Sequence, residues 1–407
     1  LVSNKEEVQH LSGIMKFPIL LNNVRKMAVK VRKLQIARMM YDQLETTKDR
    51  YSQVRGDEPI SHILGIAEEA IFDFTSLLND GDDAPQKVFQ NLEDRLNELS
   101  ENPIDQIGIP TGFNRYDFAI GGGLRRGTVN VIGARPKVGK TLFAENAGIH
   151  IARELNIPVL NLDTEMMLKD HQDRGIAMLT EVAINDIETG KFASNSYKNQ
   201  KIRDTAKDVK DIPYYYKSIG GKPFEDQLSI MRRWLAKEVG LNAEGKAKDC
   251  VIIYDYLKIM ESSDIKGDMK EYQLLGFLMT SLHNFAIKYE VPILAFIQLN
   301  RDGITKESTE TASGSDRIIW LCSNFSIYKS KSDEEIAKDG PENGNRKLVP
   351  VIARHGEGLQ ANDYINVNMI GKYGKLTEGK TAFELEDGTN IIDNDDLGNH
   401  NDDIPFS

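Results

Sequence analysis

The stretch Ala134-Arg135-Pro136-Lys137-Val138-Gly139-Lys140-Thr141 lies between an apolar run, VNVIG, and an amphipathic one, LFAENAGIHIARE. Its spacing nearly repeats GxxxxGK[ST], with Ala134 in place of the first glycine. In that pattern anions are held by backbone N–H groups of the loop and by the first turn of the following helix, so an alanine is tolerated while its φ stays negative. Lys140 is then placed to reach the β- and γ-phosphates of a nucleotide and the Thr141 hydroxyl to ligate Mg2+, with Arg135, Pro136, Lys137, Val138, Gly139 and Leu142 lining the phosphates. An accidental Gly-Lys-Thr helix start has no reason to follow an apolar strand and open a helix.

Further apolar runs end in polar groups. CVIIYDY ends a buried strand at Asp255, where a carboxylate can orient magnesium-bound water. PVLNLDTEMM brings Glu165 to a strand end, where it can polarise an attacking water; Asp163, on the same strand face, is the weaker candidate. VPILAFIQLNRDG ends at Gln298, whose amide can hydrogen-bond a terminal phosphate and so distinguish its presence from its absence. Each has a plainer reading, as a capping Asp, a helix-start Glu and a polar strand end. Their joint occurrence behind a phosphate loop argues for the chemical one.

The elements that must position these groups follow from periodicity. From about Pro18 to Tyr51, Val24, Met27, Val31, Leu34, Tyr41 and Leu44 recur at helical steps among basic residues, which predicts a long amphipathic helix with a basic outer face. Gly56, Asp57 and Pro59 break it, and helices are expected over Ile60 to Leu78 and Ala84 to Leu99. These helices are too narrow for a large core, so the apolar stripe of the first is expected to dock on a neighbour. Beyond Pro103 short β-rich runs alternate with helices, the pattern of an α/β domain with a mostly parallel central sheet. Core strands are expected at Thr128 to Gly133, Pro158 to Asp163, Cys250 to Asp255, Pro292 to Phe296, Trp320 to Tyr328 and Leu348 to Ala353. The organisation expected is a helical region over 1–102, an α/β nucleotide-binding domain over 103–385 and an acidic disordered tail over 386–407.

The 407 residues carry a net charge of -11, which by itself argues against a nucleic-acid binder. From Glu384 onward, however, eight carboxylates stand with no Lys or Arg, leaving only -3 for the rest. No run approaches the length of a membrane span, and there is no secretion signal, so a cytoplasmic protein without membrane contact is expected. Cys250 and Cys322 lie in apolar runs and read as buried thiols. The chain begins with Leu1, so upstream sequence is expected to precede it.

Together with TGFNRYDFAIGGGLRRG ahead of the phosphate loop, these pieces resemble the hexameric replicative helicases of the DnaB type. The resemblance rests on Gly108 to Phe113, Ala134 to Thr141, Glu165-Met166, Asp255-Tyr256-Leu257 and Gln298-Leu299-Asn300-Arg301, and covers about residue 20 to residue 375. It makes Ala134 a family trait. It implies a RecA-like core that binds ATP and Mg2+ between subunits of a homo-oligomeric ring, a hexamer. Single-stranded DNA threads the centre, travel is 5′ to 3′, and the long basic helix is the linker that helps close the ring. The family's N-terminal collar is mostly absent from the front, and the candidate partners are primase, a helicase loader and other replication proteins of a bacterial or phage-infected cell.

The resemblance also implies an arginine supplied by the next subunit, matched here by Arg354 in Ile352-Ala353-Arg354-His355-Gly356; the family's lysine position holds Ile352. Pore loops are expected near Glu261 to Gln273, with Lys266 and Lys270, and near Asp302 to Asp316, with Lys306, Ser313, Gly314 and Ser315. The tip Asp402-Asp403-Ile404-Pro405-Phe406 resembles the partner-recruiting tail of bacterial single-stranded-DNA-binding proteins. The rival reading is a RecA-like recombinase or ATP-gated DNA scaffold that holds DNA without unwinding it.

Overall fold

The structure, a computed structural model, describes residues 21–55, 58–59, 62–66, 87–104, 106–257, 271–299 and 316–387. The chain divides into two compact units, Leu1–Gln86 and Lys87–Ser407. The expected pore-loop residues Lys266, Lys270, Lys306, Ser313, Gly314 and Ser315, and the acidic C-terminal tip, lie outside the described residues.

In the first unit, α1 (Leu21–Ser52) is helical over the expected span. It is not sharply amphipathic: Ile36, Met39 and Met40 fall away from the predicted stripe, so apolar residues surround the helix. Val31, Leu34, Tyr41 and Leu44 are exposed. Of the second expected helix, residues 62–66 are described and helical.

In the second unit, α2 (Leu92–Glu101) begins later than expected, because residues 88–91 form a turn and Asn91 adopts φ 64°. Then come α3 (Asn114–Ala119), β1 (Val129–Ala134), α4 (Lys140–Glu154), β2 (Val159–Asp163), α5 (Leu168–Thr180) and β3 (Tyr214–Ser218). They are followed by α6 (Phe224–Trp234), β4 (Val251–Asp255), α7 (Glu271–Tyr289), β5 (Ile293–Gln298) and α8 (Asp316–Leu321). The remaining strands are β6 (Asn324–Ser330), β7 (Arg346–Ala353), β8 (Ile365–Ile370) and β9 (Lys375–Thr381). The nine strands form one sheet in the order β3-β2-β4-β5-β1-β6-β7-β8-β9. From β3 to β6 all pairs are parallel, and β7, β8 and β9 add an antiparallel extension.

The apolar runs read from sequence become the central strands because helices cover both faces of a parallel sheet. Every residue of β1, β2 and β4 is buried. The expected strand at Trp320 to Tyr328 is corrected at its start. Ile318 to Leu321 complete α8, with Ile318 buried and Trp320 exposed, and pairing begins only at Asn324 opposite Asn130. Both cysteines are free and buried, as expected.

The helix that leaves the phosphate loop is fastened to the sheet by Phe143, fully buried beneath α4. Its ring stacks on Phe113 at 4.5 Å and meets Tyr116, Phe296 and Tyr328 at 5.9, 6.2 and 5.7 Å. This cluster fixes where the helix N-terminus points. Replacing Phe143 with alanine should cost about 3–5 kcal/mol in urea unfolding followed by tryptophan fluorescence. A loss under about 1 kcal/mol would mean that the aromatic cluster does not hold α4.

Candidate functional site

Strand register gathers the polar groups. Ala134 at the end of β1 is level with Gln298 of β5 on one side and Tyr328 of β6 on the other, and Asp163 of β2 is level with Asp255 of β4. All lie at the carboxyl edge of the parallel strands, the edge where open α/β sheets bind ligands.

The loop from Arg135 to Gly139 crosses this edge. Ala134 closes β1 with no positive φ, so the missing first glycine introduces no strain. Lys137 (φ 64°) and Gly139 (φ 116°) both take left-handed backbone conformations, of the kind from which anion nests are built. An L side chain at Gly139 would be strained, and its Cβ would stand 3.0 Å from Met369 Sδ. Arg135 donates to the Leu299 carbonyl at 2.8 Å and Arg346 to the Val138 carbonyl at 3.1 Å, tethering the loop to β5 and β7. Pro136 and Lys137 are exposed, while Leu142 packs against the core.

Lys140 is buried at the first position of α4, with Nζ 5.1 Å from the centre of the Tyr256 ring. Burial lowers its pKa, against the pull of Asp255 and Glu165, and Arg135 adds to the lowering. Asp255 shows the opposite frustration. Burial pushes its carboxyl up to about 7, the neighbouring Asp163 and Glu145 add to the rise, and Thr141 and Lys140 oppose it. Neither Asp255 oxygen has a hydrogen bond of ordinary geometry among the described residues. A buried carboxylate with both oxygens unsatisfied beside a hydroxyl is a hard, anionic donor set, which fits a magnesium ion.

Glu165 is exposed beyond β2, and its Oε1 accepts the Tyr256 hydroxyl at 3.0 Å. Gln298 is the one exposed residue of β5. Arg354 lies elsewhere. Its N–H donates to the Ser323 carbonyl, and its neighbour Ala353 pairs with Asn324 at the start of β6, the strand end remote from the phosphate loop. Asn324 and Tyr328 are separated by about 13 Å along the strand, so the exposed guanidinium, which reaches the Trp320 carbonyl at 3.4 Å, faces away from this chain's own Lys140. A cavity of about 530 Å³ between Phe113, His150, Met178 and Glu378 is lined by none of these side chains.

The groups that carry the Glu165 turn were not among the expected site residues. Asp163 is not a second base candidate in the open: its side chain is buried, and Oδ1 accepts the N–H groups of Glu165 and Met166, both at 2.6 Å. Its Oδ2 meets His171 Nε2 at 3.1 Å, and His171 Nδ1 meets Glu145 Oε1 at 2.7 Å. The bond of Tyr256 to Glu165 is likewise not legible from the Asp255-Tyr256-Leu257 motif. The available signal was a Glu on the apolar face of α4 and a His on the face of α5 that must turn inward.

Residues 108–315, just over half of the chain, match the family described as DnaB-like helicase C terminal domain. The chain is 24% identical over 290 residues to the replicative DNA helicase DnaB of Helicobacter pylori, covering 69% of this chain and 55% of that protein. It is 28% identical over 299 residues to the replicative DNA helicase DnaB of Pasteurella multocida, covering 72% and 61%. The chain thus spans about half the length of the curated relatives it matches. Among solved structures it is similar to one described as an ATPase domain, with TM-score 0.61, 18% identity and coverage of 72% of this chain and 99% of that one. It is also similar to a DnaB-like replicative helicase described together with its interactions with primase, with TM-score 0.60, 18% identity and coverage of 88% and 78%. These likenesses establish the expected RecA-like α/β fold.

The buried imidazole makes a pH test of the architecture. Burial alone would lower the pKa of His171, but the bonds to Asp163 and Glu145 outweigh it and raise it from 6.5 to about 9. A raised folded-state value stabilises the fold fully below the unfolded pKa, and that stability is lost as pH rises through the folded one. The Tm advantage of the wild type over His171→Gln should therefore be largest below 6.5 and shrink as pH passes about 9. A gap that does not change with pH in a thermal melt series would refute the charged-imidazole assignment.

Proposed function

The chain belongs to the DnaB-like helicase C terminal domain family, and from that we propose that it is the motor of a ring-shaped, ATP-dependent replicative DNA helicase. The observation that carries this reading is the separation of the site into two edges. Lys140, Thr141, Asp255, Glu165 and Gln298 meet at the carboxyl ends of the parallel strands, and Arg354 stands at the other end of the sheet. An arginine so placed serves a neighbouring copy's nucleotide, which makes hydrolysis a property of a closed assembly, a hexamer by family resemblance.

In this mechanism the loop from Arg135 to Thr141 and the N-terminus of α4 hold the triphosphate, with Lys140 neutralising its β- and γ-oxygens. Thr141 and Asp255 would hold Mg2+, which when bound supplies a charge that stabilises the leaving and transferring phosphates. Glu165 takes the proton of the attacking water, and Tyr256 orients the glutamate by its hydroxyl. Gln298 contacts the γ-phosphate and passes its loss to the segment that follows β5. The residues from Glu261 to Gln273 and from Asp302 to Asp316, which follow β4 and β5 in the chain, grip one DNA strand, with Lys266, Lys270, Lys306, Ser313, Gly314 and Ser315 as contacts. Movement is 5′ to 3′, and the excluded strand is displaced.

The ATPase domain is taken as residues 103–385, preceded by the helical region 1–102 with α1 as ring linker and followed by an acidic tail over 386–407. The fit to primase is supported by a solved relative described with its primase interactions; a loader and other replication proteins are the further partners. The setting is the cytoplasm, where replication helicases meet their DNA; among the described residues no helix is long and apolar enough to cross a membrane.

Lys140→Ala should lower ATP turnover by at least about 100-fold. Arg354→Ala should lower it by about 1,000-fold or more while sparing the affinity for an ATP analogue. Native mass measurement with the analogue should give a sixfold particle, and forked DNA should be unwound in an ATP-dependent way. Undiminished turnover in either variant would remove the site assignment. Turnover without strand displacement would favour the recombinase-like scaffold.

A further inference from the structure

Below the residues that would touch nucleotide, three ionisable side chains stand in a row, each between 2% and 4% exposed. Glu145 projects from α4, the helix that begins with Lys140. His171 projects from α5 and spans the gap, with Nε2 hydrogen-bonded to Asp163 at 3.1 Å and Nδ1 in ion-pair contact with Glu145 at 2.7 Å, outside ordinary hydrogen-bond geometry. Asp163 ends β2 and uses its second oxygen to hold the N–H groups of Glu165 and Met166. Tyr216 of β3 closes the arrangement, its ring 4.8 Å from His171 and its hydroxyl donating to the Met166 carbonyl.

Stability alone does not require this row, although removing one member of it is costly. Taking ionisable groups out of water is costly, and apolar residues of similar volume commonly pack into such a place with equal or better stability. Direction does explain it. Two N–H groups at a strand-to-helix turn can be satisfied in many ways, but one buried carboxylate that accepts both and is itself anchored from behind leaves the turn a single conformation. Glu165 is the second residue of that turn, after Thr164, so the backbone from which its carboxylate projects is set by Asp163, with Tyr256 holding the carboxylate itself. The anchor behind Asp163 ends on the phosphate-loop helix.

We propose that Glu145, His171 and Asp163 form a positioning relay that ties the Glu165 turn to the phosphate-loop helix, so that the water-activating carboxylate and the phosphate-binding lysine keep one fixed relation. This rests on Glu165 being the base of the proposed ATPase. None of the three relay residues touches substrate; they act through the backbone of Glu165. A misplacement of about 1 Å in a reacting group costs on the order of 100-fold in rate, so the relay is expected to control kcat and to leave nucleotide binding nearly untouched.

The test uses the full chain with ATP, Mg2+ and single-stranded DNA, measuring kcat, KM, analogue affinity and Tm. Asp163→Ala removes the acceptor of both N–H groups and should lower kcat by about 10- to 100-fold with KM within about threefold. Asp163→Asn keeps an oxygen for those N–H groups, its amide donating to Nε2 of a His171 that is then neutral with its proton on Nδ1 toward Glu145, and should restore kcat to within about threefold of the wild type. Glu145→Leu fills the same space at the far end of the row, so it remains informative even if Asp163→Ala does not fold. It should lower kcat by about threefold to tenfold with analogue affinity unchanged. The relay is overturned if Glu145→Leu and Asp163→Ala turn over as the wild type, if Asn is no better than Ala at Asp163, or if kcat, affinity and Tm fall together. Glu165→Gln, run alongside, separates the two ideas: if it retains full turnover the ATPase reading of Glu165 itself fails, whereas a dead Glu165→Gln with normal relay variants refutes the relay alone.

Discussion

The site is built on a charge balance that the protein leaves incomplete. Lys140 and Asp255 are both buried at the carboxyl edge of the sheet, and burial disfavours the charged form of each: the lysine's pKa is lowered and the carboxyl is pushed up to about 7. They relieve each other only in part, because Asp163 and Glu145 add negative charge around Asp255 and Arg135 adds positive charge beside Lys140. Under the proposed function, a triphosphate supplies negative charge to Lys140 and Arg135, and a divalent cation satisfies the two orphaned oxygens of Asp255. The frustration is therefore the form of the ligand, written in the polar groups that are costly to bury without it.

That balance holds only if the groups keep their places, and the parallel sheet provides this. Side-by-side strands put Asp163 next to Asp255 and Gln298 next to Ala134 without any special local sequence. The loop is tethered on both flanks by Arg135 and Arg346, and α4 is pinned by the Phe143 cluster. The same geometry puts Arg354 at the wrong end of its own sheet. Under the proposed function, a pocket split this way is completed only in a repeating assembly, where one copy's pocket edge meets the next copy's arginine.

Much of the core was legible in the residues. β1, β2, β4 and β5 are continuous apolar runs ending in the polar group that matters, because a strand covered on both faces has no reason to alternate. β3, with half-buried tyrosines, β8, in which Asn366 and Asn368 alternate with apolar residues, and the largely polar β9 carry no such run and were missed. The run at Trp320 misled for the same reason in reverse. Ile318 to Leu321 are apolar, yet they form the last turn of a short helix, and an exposed Trp320 within an apolar string is indistinguishable by composition from a buried strand residue.

The sequence by itself determined the phosphate-loop motif, the strand ends at which Asp255 and Gln298 stand and the α/β class, because these depend on short-range spacing and on strand-helix alternation, while the RecA-like fold came from the family resemblance. Only the tertiary structure decided which of the acidic residues are companions. Glu145, Asp163 and His171 are spread over 27 residues and three elements, and they meet because α4, β2 and α5 pack together. No periodicity encodes that meeting. The same holds for Arg354, whose distance from its own chain's loop follows from the register of β6 with β7 and from nothing in its neighbours along the chain.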